Sequence, residues 1–169
     1  MKHAKALLLV ALQVLAASAP SSLAEVVRPA PELAFPAYGG KTRSLASFKG
    51  QPVIILLADS HSRGSFKAQL RELDASFDRL AIRGTVIAAG FKKGNPEVAN
   101  TNIPLILLPD GAAACAAFRT KNEFTIVLVG PDGNVDYQTS KVLNINRILE
   151  VMQNNYEIQK AARKGVGDR

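Results

Sequence analysis

The chain has 169 residues, 47% hydrophobic and 21% charged, with a net charge of +7 at pH 7 and a single cysteine, Cys115. That is one domain's worth of sequence, with enough apolar residues for a core that needs no disulfide. One cysteine excludes an internal disulfide, a CxxC pair and a Cys/His metal cluster. The basic excess is spread without a dense stripe interleaved with aromatics, which argues against a nucleic-acid partner.

Residues Met1-Lys-His-Ala-Lys5 form a short basic start, Ala6 to Ala19 is apolar apart from Gln13 and Ser18, and Ser22-Leu23-Ala24 puts small residues at a cleavage site. This is the pattern of a secretory signal peptide over 1–24. The apolar run falls short of the roughly 20 residues a spanning helix needs, so no stable membrane anchor is expected after cleavage. Export to the periplasm or to the outside follows. Loss of Lys2 and Lys5 takes two from the +7 and leaves +5.

A proline-rich lead-in, Glu25 to Pro36, is followed by a turn at Gly39-Gly40 and a helical turn or strand edge over Ser44 to Phe48. Pro52-Val-Ile-Ile-Leu-Leu-Ala58 is continuously apolar and reads as a central strand covered on both faces. A polar loop, Asp59 to Ser65, leads into a helix from Phe66 to about Leu80. Its apolar face is Phe66, Leu70, Leu73, Phe77 and Leu80, with Lys67, Gln69, Arg71, Asp74 and Asp78 falling mostly elsewhere. Ser62 or Ser65 can cap its start, and Gly84 ends it.

A second strand is expected over Thr85 to Phe91, a polar loop over Lys92 to Asn102 and a third strand over Ile103 to Leu108. Asp110 caps a small-residue helix, Ala112 to Arg119. Glu123 to Val129 and Asn134 to Gln138 flank the turn Gly130-Pro-Asp-Gly133 as an antiparallel hairpin. Asn144 caps a last helix whose face is Ile145, Ile148, Leu149, Met152 and Tyr156. The order predicts an α/β fold: a three-layer α/β/α sandwich with a mixed central sheet and a C-terminal antiparallel hairpin plus helix. The domain spans 25–160, with a frayed tail over 161–169.

Pro31-Glu-Leu-Ala-Phe35, Gly40-Lys41, Ser44-Leu45 and Phe48-Lys-Gly-Gln-Pro-Val53 resemble the entry segment of the alkyl hydroperoxide reductase/thiol-specific antioxidant branch of the thioredoxin superfamily. Pro104 to Gly111 and Phe124 to Val135 resemble that branch's later strands and hairpin. The C-terminal part, from Leu128 through the 152–163 helix, is also similar to small exported thioredoxin-like proteins of unassigned function. The resemblance implies a thioredoxin-like fold. It places the two thiols of a CxxC on Arg63 and Phe66, or a peroxidatic cysteine on Phe66, and a cis-proline on Phe124, before Thr125. None of the thiols is present, and disulfide exchange and peroxide attack both need a thiolate.

The candidate site residues follow. His61, Arg63 and Ser65 surround a helix start, where exposed N–H groups favour an anionic group or a partner's carboxylate. Phe66, Phe124 and Thr125 complete the edge that the resemblance assigns to binding. Asp59, Ser60 and His61 are consecutive loop residues, which seldom converge as a catalytic triad; the plain alternative is a solvated, turn-forming loop. Cys115 is either a reactive thiol near a helix start or a small buried residue in an alanine-rich helix. No metal site is expected, since His61 is the one histidine left after cleavage, and no cofactor pattern appears. Two functions stay open: a redox-inactive module that binds a protein or peptide in the cell envelope, and a thiol oxidoreductase or peroxidase working through Cys115.

Overall fold

The computed structural model describes residues 28–94 and 101–154. The expected signal peptide, the domain limits at 25 and 160, the tail and Tyr156 lie outside these residues. Among the described residues there are eight strands, three α-helices, two short 3-10 turns and a further helical stretch at 145–154. The central strand is β4 (Val53–Ala58), buried at all six positions. Its neighbours are β5 (Val86–Phe91), parallel, and β7 (Phe124–Val129), antiparallel. Outside these lie β6 (Ile106–Leu107) beside β5, β8 (Asn134–Thr139) beside β7, and β1 (Arg28–Pro29) beside β8. A separate two-stranded ribbon pairs β2 (Ala34–Pro36) with β3 (Thr42–Ser44).

Alternation along β4 divides the core. Ile54, Leu56 and Ala58 face a cluster containing Phe66, Leu73, Leu80, Ile148 and Leu149. Val53, Ile55 and Leu57 face a cluster containing Phe35, Phe48, Ala114, Cys115 and Phe118. The first layer is therefore α1 (Gly64–Asp74), α2 (Phe77–Ala81) and α4 (residues 145–154); the second is α3 (Gly111–Ala117) with the N-terminal ribbon. Each fully buried Val, Ile or Leu contributes about 1.5–3 kcal/mol relative to exposure. The expected three-layer α/β/α sandwich with a mixed sheet is the observed one.

Several expectations need correction. The helix expected from Phe66 to Leu80 is two helices, broken at Ala75 and Ser76. The break re-aims Phe77, which, like Leu70, is only partly buried. Neither serine caps α1: its N-cap is Arg63, with no side-chain cap, while the Ser60 and Ser62 hydroxyls bond each other at 2.8 Å. The third strand shrinks to two residues, and the extended lead-in pairs as β1 and β2. Two caps stand as expected: Ala113 N–H donates to Asp110 Oδ1 at 2.8 Å, and Arg147 N–H to Asn144 Oδ1 at 2.9 Å.

Two contacts tie the layers to the sheet. Gly111 opens α3 against the end of β5, where a Cβ would lie 2.1 Å from Phe91 N and 2.5 Å from its O; only glycine permits that approach. Gln69, expected on a polar face, is fully buried. Its amide donates to Leu143 O at 2.9 Å, and its Oε1 accepts from Leu143 N–H at 2.7 Å. One side chain thus satisfies both backbone groups of a buried loop residue 74 positions away. Gln69→Ala is expected to lower the unfolding free energy by about 2–4 kcal/mol, because Leu143 loses both partners. Urea denaturation measures this, and a loss below about 1 kcal/mol would show that the loop satisfies itself by another route.

Candidate functional site

The strand register builds the site. Ala58 pairs with Phe91 at the ends of β4 and β5, so the next residues, Asp59 and Lys92, emerge side by side. Lys92 Nζ lies 2.9 Å from Asp59 Oδ1 and donates to Asn122 O at 3.3 Å. Arg63, at the start of α1, places Nη2 3.6 Å from Asp59 Oδ2 and 3.1 Å from Glu123 Oε1. Asp59 N–H donates to Glu123 O at 2.9 Å. Two strand ends, a helix start and the loop before β7 are thereby joined by one chain of alternating charge, Lys92–Asp59–Arg63–Glu123.

The sequence-derived site residues separate into two groups. His61, Ser65 and part of Arg63 reach solvent. Phe66, Phe124 and Thr125 do not: they are 1%, 3% and 3% exposed. Phe66 packs edge-on against Phe91 with centroids 5.0 Å apart, and the His61 ring meets Phe91 edge-on at 6.4 Å. None of the three offers a surface: Phe66 and Phe124 turn into the core on the α1 side, while Thr125, paired with Leu57, lies on the α3 side of the sheet. Lys92, which the sequence suggested was a plain loop residue, belongs to the site instead.

Asp59 is committed to Lys92 and Arg63, and no triad forms with His61 and the adjacent serines. Cys115 lies in the other layer, 3% exposed among Leu57, Ala88 and Phe118. Burial pushes its thiol pKa up, against a smaller opposing hydrogen bond from Thr120. That is the reverse of what a reactive thiol needs.

The charges have a local logic. A cation at a helix N-terminus opposes the macrodipole, and Arg63 stands there with no acidic residue in the first turn of α1. Asp59 and Glu123 supply the compensating charge from outside the helix. The Asp59 carboxyl is held below its ordinary value near 3.8, chiefly by the hydrogen bond from Lys92. Partial burial opposes this, and the charges of Lys92, Arg63 and Lys93 add to it. The Arg63–Glu123 pair is exposed, at 38% and 67%, and such pairs contribute about 0–1 kcal/mol.

No family model matches the sequence, and no curated protein matches it. Solved structures do. Peroxidoxin BcpB from Mycobacterium tuberculosis superposes with a TM-score of 0.60 at 13% identity, over 77% of this chain and 97% of that one. A thiol:disulfide interchange protein of the thioredoxin family from Chlorobium tepidum gives 0.58 at 17%, over 75% and 97%. The pneumococcal exposed lipoprotein thioredoxin from Streptococcus pneumoniae gives 0.54 at 15%, over 73% and 98%. The fold is thioredoxin-like. At these identities the likeness speaks for fold and not for activity. Of the positions matched to the thiols, Arg63 sits at the N-cap of α1 in the ion-pair chain and Phe66 is in the core. Phe124 stands where the cis-proline was expected, and every described peptide bond is trans.

Two measurements check this site. Because Asp59 titrates lower when folded than unfolded, its pairing stabilises the fold above the ordinary Asp range, and that contribution fades as pH falls through the lowered pKa. The stability gap between the native chain and Asp59→Asn should therefore narrow below about pH 4, and carboxyl-detected NMR should show Lys92→Met raising the Asp59 pKa more than Arg63→Met. Cys115 should react with a soluble aromatic disulfide roughly a hundredfold more slowly in the native chain than in urea, since labelling waits on opening of the core; equal rates would place the thiol at the surface.

Proposed function

We propose that the protein is an exported binding module that keeps the thioredoxin-like fold without its thiol chemistry. It holds a protein or peptide of the cell envelope at the loop edge Ser60 to Ser65 together with Glu123. One observation carries this reading: the position matched to the attacking thiol is Arg63, ion-paired to Asp59 and Glu123, while the chain's one cysteine is buried in the opposite layer. A thiolate is indispensable for both redox reactions of the resembled branch. Thioredoxin-like folds present this loop edge to extended peptide, which makes a protein or peptide the natural ligand. The export reading rests on residues 1–24, and the exposed lipoprotein among the similar structures is consistent with it. The contact residues are the solvent-facing ones, His61, Ser62, Arg63 and Ser65, with Glu123 paired to Arg63 at their rim; Phe66 and Phe124 lie beneath them in the core, and Thr125 is on the opposite face of the sheet.

The processed chain, purified from cells, is assayed for disulfide reduction and peroxide consumption beside Cys115→Ser. No turnover is expected in either. Turnover that disappears in the serine variant would establish a Cys115 enzyme and refute the binding module. In parallel, a photo-crosslinker at position 65 should capture a discrete envelope protein, and Arg63→Glu should cut that capture at least about fivefold, consistent with losing a charged contact at the rim of an interface.

A further inference from the structure

The described residues carry fifteen Lys and Arg against ten Asp and Glu, a net +5. That excess is not evenly placed. Strands β4, β5, β6 and β8 end, and β7 begins, at the same end of the sheet. The segments there, 59–67, 92–94, 109–110, 119–123 and 140–144, hold seven cations and three carboxylates, or +4 of the +5. The rest of the described chain is close to neutral.

Arg119 is one of these cations. It ends α3 at φ 54, with its N–H on Ala116 O and the Thr120 N–H on Cys115 O. Glycine is the usual residue in such a helix ending, and a cation stands there instead. The net +4 of this end attracts negative charge. A membrane is a poor fit, since interfacial binding needs inserted apolar side chains, and the exposed large hydrophobic placed at this end among the described residues is Val142, at 39%. Single-stranded nucleic acid is also a poor fit, because it stacks on exposed aromatics, and Phe66, Phe91 and Phe124 are buried.

Within the patch the two carboxylates on Arg63 differ. Asp59, 21% exposed, is held by Lys92 as well and is anchored through its backbone N–H. Glu123, 67% exposed, pairs with Arg63 alone among the ion pairs of the described residues. An incoming carboxylate of the same charge can take that place with little net change. Resting on the binding reading above, we infer that the partner is an acidic, extended segment of another protein, and that one of its carboxylates displaces Glu123 from Arg63. Glu123 marks where that carboxylate sits.

The test uses the processed chain and a fluorescein-labelled peptide alternating Glu with Ser and Thr, beside its Gln counterpart, read by anisotropy. The Glu peptide should bind at least about tenfold more tightly, with an affinity that falls as salt rises. Lys93→Glu with Lys121→Glu should weaken it about tenfold, while Lys49→Glu with Arg83→Glu, the same charge change at the opposite end of the sheet, should alter it less than about twofold. Glu123→Gln should tighten binding roughly threefold by releasing Arg63. Equal losses in the two double variants would reduce the effect to net charge and overturn the inference. So would tighter binding to phosphatidylglycerol-containing vesicles than to the peptide, or weaker binding by Glu123→Gln. Equal binding of both peptides, abolished by Arg63→Glu, would overturn the acidic partner and leave the binding module standing. Binding of neither peptide would also overturn the acidic partner, and crosslinking from position 65 would then judge the binding module separately.

Discussion

Everything in this fold answers to the burial of β4. Six apolar residues in succession leave no polar face, so both faces must be covered and both edges paired. The chain meets those demands with β5 and β7 at the edges, α1, α2 and α4 on one face, and α3 with the N-terminal ribbon on the other. Once β4 is enclosed, its only opening to water is at its ends. The first polar residue beyond it, Asp59, emerges beside the end of β5 and the start of β7. The site is the place where the most buried strand reaches solvent.

That position explains the kind of site it is. In a thioredoxin-like frame the start of the first long helix offers a positive potential, suited to stabilising a thiolate. Here an arginine stands there, and the potential must be balanced from outside. The balance comes from residues far apart in sequence, Asp59 and Glu123, and Lys92 in turn satisfies Asp59. The outcome is a charged surface with a fixed arrangement. Of the positions that the resemblance matches to thiols and to the cis-proline, Arg63 is in that ion chain and Phe66 and Phe124 are in the core.

Much of the frame was legible from local pattern. Continuous apolar runs marked β4 and β7, the Gly130–Gly133 turn marked the hairpin, and Asp110 and Asn144 announced helix starts, because each of these signals is decided within a few residues. What was missed depends on tertiary placement. Gln69 lies three residues after Phe66 and four before Leu73, inside the apolar stripe, yet its polarity suggested the surface; only a partner 74 residues away makes it a core residue. Lys92 looked like loop because its ion pair needs the β4–β5 register, although it follows β5 as directly as Asp59 follows β4. Phe66 and Phe124 were assigned to the binding edge through the resemblance, and their burial follows from the plain hydrophobic pattern.

The burial of Cys115 has a consequence for how long any complex lasts. Proteins that work through an accessible thiol can hold a partner as a mixed disulfide and must then be reset by an electron donor. A chain whose sole cysteine is enclosed between α3 and the sheet presents no accessible thiol for such a bond. On the binding reading proposed above, a partner would be held by mass action. Its residence would then be set by an off-rate and by ionic strength, would be indifferent to the redox poise of the compartment, and would end without a recycling partner.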